Sequence, residues 1–196
     1  ISPDLLTNRL ETLKDIDLGK VNIVITNLMG YLRFLPRKEL FGDLFINLKK
    51  GDNVNREEII NKLIRSGYKK ESLVTKTGEF ANRGYILDIY AYDYELPIRI
   101  EFFDDEIEEI RQFNPDTQIS LNKKDEVLIS PFTEFINEYN KKEIPLRQSL
   151  LPLVTSDVSH ISNFLEDMYT VYIDLDNIKI SYQKILEQTL EYGLTD

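Results

Sequence analysis

Leu5, Leu6, Leu10 and Leu13 recur at helical spacing behind Ser2 and Pro3, a cap residue and a first-turn proline. They predict an opening helix that Gly19 ends. The pattern then turns almost continuously apolar: Val21-Asn22-Ile23-Val24-Ile25-Thr26 reads as a strand covered on both faces. Residues 27–35 read as a short helix stopped by Pro36. Helix, buried strand, helix is a piece of an α/β layer, and most of the strands of such a sheet are missing from it.

Beyond Pro36 the periodicity changes. Leu44, Ile46 and Leu48 alternate as in a strand, and Lys49-Lys50-Gly51-Asp52 makes a turn. Asn55 is placed to cap a helix, with Glu57 and Glu58 in its first turn, where the macrodipole favours acids. Ile59, Ile60, Leu63 and Ile64 line one face of that helix, and Gly67 closes it. Strands are predicted over 68–75, 85–92 and 97–103. Ile107, Ile110 and Phe113 sit three apart, which requires a bulge in a strand or a turn of helix. An α+β unit on an antiparallel sheet is therefore expected over 43–131.

Helical patterns return at 132–140 and 158–165, and Tyr169-Thr170-Val171-Tyr172-Ile173-Asp174 repeats the buried-strand signal. A terminal helix over 178–192 offers Ile180, Ile185, Leu186 and Leu190 for burial. The economical arrangement is one α/β unit, from residues 1–42 and 132–196, interrupted by the α+β unit at 43–131.

The segment Pro97-Ile98-Arg99-Ile100-Glu101-Phe102-Phe103 carries the most specific information. Side chains alternate along a strand, so Ile98, Ile100 and Phe102 face the core while Arg99, Glu101 and Phe103 share the opposite face. An outward row of Arg, Glu and Phe has the composition of a protein-binding hot spot. The same row also suits a second packed layer, or a cross-strand Arg–Glu pair with Phe103 under a helix. By simple parity Arg83 follows Leu87 and Ile89; it joins the outer row if Gly84 bulges or the strand begins after it.

Composition narrows the chemistry. The 196 residues contain no Cys and one His, which removes thiolate zinc sites and thiol nucleophiles and leaves His160 without triad partners. His160 is expected at an ordinary surface or cap position. The net charge of -10 opposes a large phosphate-binding surface. No apolar run approaches the ~18 residues of a membrane span, so no membrane partner and a cytosolic location are the defaults. Neither GxxxxGK[ST] nor GxGxxG occurs. Glu101, Asp104, Asp105, Glu106, Glu108 and Glu109 form an acidic run, readable as a solvated turn, a partner-facing rim, or a metal-dependent hydrolytic site. The chain opens at Ile1, as a fragment or processed product would.

Two stretches carry a family resemblance. One is Thr77-Gly78-Glu79-Phe80-Ala81-Asn82-Arg83-Gly84-Tyr85-Ile86-Leu87-Asp88-Ile89-Tyr90. The other runs from Pro97-Ile98-Arg99-Ile100-Glu101-Phe102-Phe103 through Asp104-Asp105-Glu106-Ile107 to Phe113-Asn114-Pro115-Asp116-Thr117-Gln118. Together they resemble the N-terminal module of the bacterial transcription-repair coupling factors, with an ordered match over 48–135. The repair subunit UvrB carries a version of the same domain, and a UvrB fragment is the alternative reading.

The resemblance implies that the middle unit recruits UvrA and that the flanks form a degenerate helicase-like α/β domain. It implies UvrA contacts at Arg83, Arg99, Glu101 and Phe103, and no catalysis or cofactor in this fragment. ATP with magnesium, DNA and RNA polymerase would engage other parts of a bacterial, cytoplasmic, ATP-dependent DNA translocase. Two positions depart from the family pattern: Tyr85 replaces a glycine and Ile119 an arginine.

Overall fold

The computed structural model describes residues 3–134, 158–165 and 167–191. Helix α1 spans Pro3–Asp17 and buries Leu10, Leu13 and Ile16. Gly19, with φ +67°, ends it as the sequence predicts. Two short helices follow, α2 (Leu28–Tyr31) and α3 (Lys38–Gly42), on either side of the two-residue strand β1 (Leu35–Pro36). In α2 the Asn27 side chain accepts from the Gly30 N–H at 2.8 Å.

The middle of the chain holds most of the regular structure. Strand β2 (Ile46–Lys49) leads into α4 (Arg56–Arg65), whose first turn is capped by Asn55 Oδ1 accepting from the N–H groups of Glu57 (2.9 Å) and Glu58 (3.3 Å). Gly67, at φ +90°, closes it. Asn55→Ala is expected to cost about 1 kcal/mol, because two helix N–H groups lose their acceptor. A thermal melt against the parent chain measures this.

Six strands then form one sheet in the order β3 (Lys69–Lys70), β4 (Glu79–Arg83), β5 (Ile86–Ile89), β6 (Ile98–Phe103), β7 (Glu106–Phe113), β8 (Ser120–Lys124). All neighbours are antiparallel except β3 and β4, which are parallel. The last strand of the region, β9 (Glu126–Ile129), returns to pair with β2, Ile46 opposite Ile129.

The three-residue spacing in β7 is resolved by irregular pairing. Between Glu101 and Phe102 the register slips by one residue of β7, so Ile107 and Ile110 both reach the core face. That face packs Phe80, Leu87, Ile98 and Ile100 against Ile59 and Leu63 of α4 and against Ile46, Leu48, Val127 and Ile129. The expected α+β unit on a largely antiparallel sheet is therefore present. Ile64 departs from the expected helix face and is exposed, because α4 turns only Ile59, Leu63 and part of Ile60 inward.

A second cluster joins the two outer segments. Leu10, Leu13, Ile16, Leu35, Phe41 and Leu44 pack with Phe164, and β1 pairs with β10 (Val158–Ser159). Helices α5 (Ile161–Phe164) and α6 (Leu175–Glu191) complete the described chain. His160 precedes α5, with its ring 5.3 Å from that of Phe34. Helix α1 is tied to the middle region by Lys14 Nζ to Asp93 at 2.5 Å, and Arg9 Nε reaches Glu134, just beyond that region, at 2.5 Å.

Three expectations are corrected here. Residues 21–26 and 169–174 form no strand; Ile23, Ile25, Tyr169, Val171 and Ile173 are each about 80% exposed or more. A continuous apolar run becomes a buried strand only where neighbouring strands supply hydrogen-bond partners. Among the described residues none does. Residues 68–75 reduce to the two-residue β3. On α6, Ile180 and Leu186 stay about half exposed. Of the helix expected over 132–140, residues 132–134 are not helical and 135–140 lie outside the described residues, as do Leu190's side chain and Tyr192.

Candidate functional site

The sheet face opposite the core is built from two cross-strand rows. Ala81, Asp88, Arg99 and Arg111 stand side by side in the first, and Arg83, Ile86, Glu101 and Glu109 in the second. Arg83 enters through the hairpin geometry. Only Gly84 and Tyr85 separate it from its partner Ile86, so the turn reverses the parity that a continuous strand would impose. Gly84, at φ +60°, occupies the left-handed position of this turn, and Tyr85 does not share it. A tyrosine is therefore accommodated where the family pattern has glycine.

Parity along β6 is as the sequence predicts, but exposure is not. Phe103 is 69% exposed and Glu101 is half-buried, whereas Arg99 is 9% exposed. The expectation that Arg99 stands on an open face is thus corrected. Its Nε donates to Asp88 Oδ1 at 2.7 Å and its Nη2 to Asp88 Oδ2 at 2.9 Å, a forked pair in which the carboxylate is fully buried. The remaining edge is used as well. Nη1 donates to the Gln118 carbonyl at 3.1 Å, and Nη2 also lies 3.2 Å from Gln118 Oε1. The guanidinium carbon lies 4.3 Å from the centre of the Phe113 ring. Hydrogen bonds to Asp88 hold the Arg99 pKa above its ordinary value, against the opposing effect of burial.

The cover over Arg99 is the loop 114–119. Asn114 Oδ1 accepts from the N–H groups of Asp116 and Thr117, both at 2.9 Å, which bends the loop back toward the sheet. Gln118, in the left-handed region at φ +60°, then donates from Nε2 to the carbonyls of Pro115 (2.7 Å) and Val74 (3.2 Å). Val74, Ala81 and Phe113 make a small apolar cluster beneath.

Glu101 accepts from Arg111 Nη2, and Arg111 Nη1 reaches Glu109 at 3.1 Å. Lys123 Nζ also pairs with Glu109, and its hydrogen bond holds that carboxyl below the usual carboxylate value. Arg83 Nη2 donates to Asp88 Oδ2 at 2.5 Å while 41% of its side chain stays exposed. Phe103 ends β6 opposite Glu106, beside the Asp104-Asp105 hairpin tip, with Asp104 at φ +53°. Of the four residues singled out from sequence, Arg83, Glu101 and Phe103 therefore reach the surface at one end of this face. Arg99 supports them from below.

Sequence reasoning gave no role to Asp88, Gln118 or Arg111. The available signal was Asp88 itself, an acid between Leu87 and Ile89 in a strand too apolar to leave it in water. Among the described residues no group of three or more His, Asp or Glu side chains is placed to hold a metal ion, the acidic turn included. No described helix is long and apolar enough to cross a membrane.

Comparison with known proteins places this face in a family. Residues 46–135 match the UvrB interaction domain. The chain is also 38% identical over 135 residues to the transcription-repair-coupling factors of Staphylococcus aureus strains USA300 and MRSA252 and of Staphylococcus haemolyticus. Each match covers 69% of this chain and 12% of the relative. The chain thus spans a small part of the length of the curated relatives it matches. The rows that carry Arg83, Arg99, Glu101 and Phe103 lie inside the matched segment, so residues 46–135 belong to the UvrB interaction domain family, on a chain homologous to part of the transcription-repair-coupling factors.

Proposed function

We propose that this chain is a protein-interaction module that binds the excision-repair protein UvrA through the Arg83, Glu101 and Phe103 end of the second sheet face. The supporting observation is Phe103. A phenylalanine 69% exposed at the end of a strand whose other residues are buried or half-buried has no packing role, and Glu101, two residues before it on the same face, is held by Arg111. Exposed aromatic and arginine side chains on one face are the composition of interface hot spots.

In a longer parent of the coupling-factor type, the module would bring UvrA to stalled RNA polymerase. ATP-driven translocation on DNA, with its ATP, magnesium and polymerase contacts, would belong to other parts of that parent. The module itself would be non-catalytic, would bind no cofactor and would work in the bacterial cytoplasm. Residues 1–42 and 132–196 are read as the two parts of a degenerate helicase-like domain around the 43–131 unit. Their shared apolar cluster and the β1–β10 pairing support that reading.

The test is a titration of this chain with purified UvrA. Phe103→Ala should weaken binding about 30-fold, the loss of one hot-spot side chain. Its melting temperature should stay at the parent value, since no core contact is removed. Wild-type affinity in Phe103→Ala overturns the assignment of this face.

A further inference from the structure

Asp88 is fully buried, yet two arginines converge on it, and one is enough to satisfy it. Arg99 already takes both carboxylate oxygens in a forked pair and is itself fixed by Gln118 and the Phe113 ring. Arg83 comes to the same carboxylate through a single nitrogen, Nη2 on Oδ2. Its Nε and Nη1 have no partner among the described residues, Nη2 keeps a second proton, and 41% of the side chain is exposed. The two other acids of the face are engaged elsewhere, Glu101 by Arg111 and Glu109 by Arg111 and Lys123. The positive charge left over from two arginines on one carboxylate therefore sits on Arg83, in the same cross-strand row as Glu101 with Ile86 between them.

We propose that Asp88 is a positioning residue of this face. Pinned by Arg99, it holds one N–H of Arg83 Nη2 and leaves the other donors, the second Nη2 proton with Nε or Nη1, to fork onto a carboxylate of the partner. The inference rests on the reading of the face as the UvrA contact. A guanidinium held by one N–H is oriented before the partner arrives, so less side-chain freedom is lost on binding. A lysine ammonium can donate one proton to each carboxylate but has no planar fork with which to take the partner's carboxylate by both oxygens.

Titration of the full chain with purified UvrA tests this, using Arg83→Ala, Arg83→Lys, Asp88→Asn and the Arg83→Ala/Asp88→Asn double variant. Affinities are corrected for the folded fraction from parallel melts. Arg83→Ala should lose about tenfold or more in affinity, as when one partner of an interfacial charge pair is truncated. Arg83→Lys should lose nearly as much. Asp88→Asn should weaken binding when Arg83 is present and add nothing once Arg83 is gone, since it acts through that residue. Wild-type affinity in Arg83→Lys, or losses that add in the double variant, overturns the proposal. Should Asp88→Asn fail to fold, the Arg83→Lys result decides alone. Phe103→Ala run alongside separates two failures: if it loses binding while the Arg83 variants do not, only this inference falls. If it too binds like wild type, the assignment of the face falls with it.

Discussion

Arg99→Ala should lower the stability of the chain by about 3–5 kcal/mol, the range for removing one partner of a buried ion pair. The substitution leaves the Asp88 carboxylate fully buried with one N–H donor, from Arg83, in place of three. It also takes away the donors to the carbonyl and side-chain oxygens of Gln118, which tie the 114–119 loop to the sheet, and the cation stacked on Phe113. Arg83 offsets part of the orphaned charge and holds the loss toward the lower end of that range. Urea unfolding at unchanged m-value reads the effect. A double variant, Asp88→Val with Arg99→Leu, should recover much of it, because the cost lies in the orphaned charge rather than in the missing pair. Phe103→Ala in the same assay should stay within about 0.5 kcal/mol of the parent, as exposed substitutions do. If Arg99→Ala unfolds at the parent midpoint, the clamp contributes nothing to the fold.

Gly78→Ala should be nearly as damaging, for a different reason. Gly78 sits at φ +83° where the chain enters β4, its N–H donating to the Tyr90 carbonyl at 2.8 Å. A Cβ there would lie 2.4 Å from Phe132 Cε1 and 2.6 Å from Cζ. The backbone strain costs about 1–2 kcal/mol and displacing a packed ring about 1–3 kcal/mol more. Gly51 provides the control: at φ +87° with nothing within 4 Å of a Cβ, Gly51→Ala carries the strain alone. Thermal melts of the pair separate the two contributions. Equal destabilisation in both would mean that Phe132 moves aside freely.

The alternation in β6 was legible from sequence because a strand with one face on a packed core has little freedom to choose its parity. The Asn55 cap and the Gly67 stop were legible for a similar reason, since each satisfies groups that the helix leaves unpaired. Exposure on the opposite face was not legible. Whether Arg99 meets water depends on loop 114–119 folding over it, and that depends on Gln118 reaching Val74, far away in sequence. Arg83 was misplaced by simple parity because a two-residue hairpin turn shifts every position before it. The runs at 21–26 and 169–174 show the opposite failure. Apolar content records a capacity for burial, and the partner that would use it is not written in the segment itself.

The pairing of Ile46 with Ile129 has a consequence for how the stretch between them joins its flanks. The chain leaves the Leu44-containing cluster, makes the whole excursion through α4 and the sheet, and comes back at the place it left. Closure of that long segment is secured inside the excursion by the β2–β9 ladder. To the flanking residues it is topologically equivalent to a hairpin loop of a few residues, and its length adds little closure entropy. Segments with such adjacent ends are the ones that can be inserted into, or lifted out of, a surface turn without rethreading the host. The 46–129 stretch has the geometry of a cassette, portable between otherwise dissimilar chains.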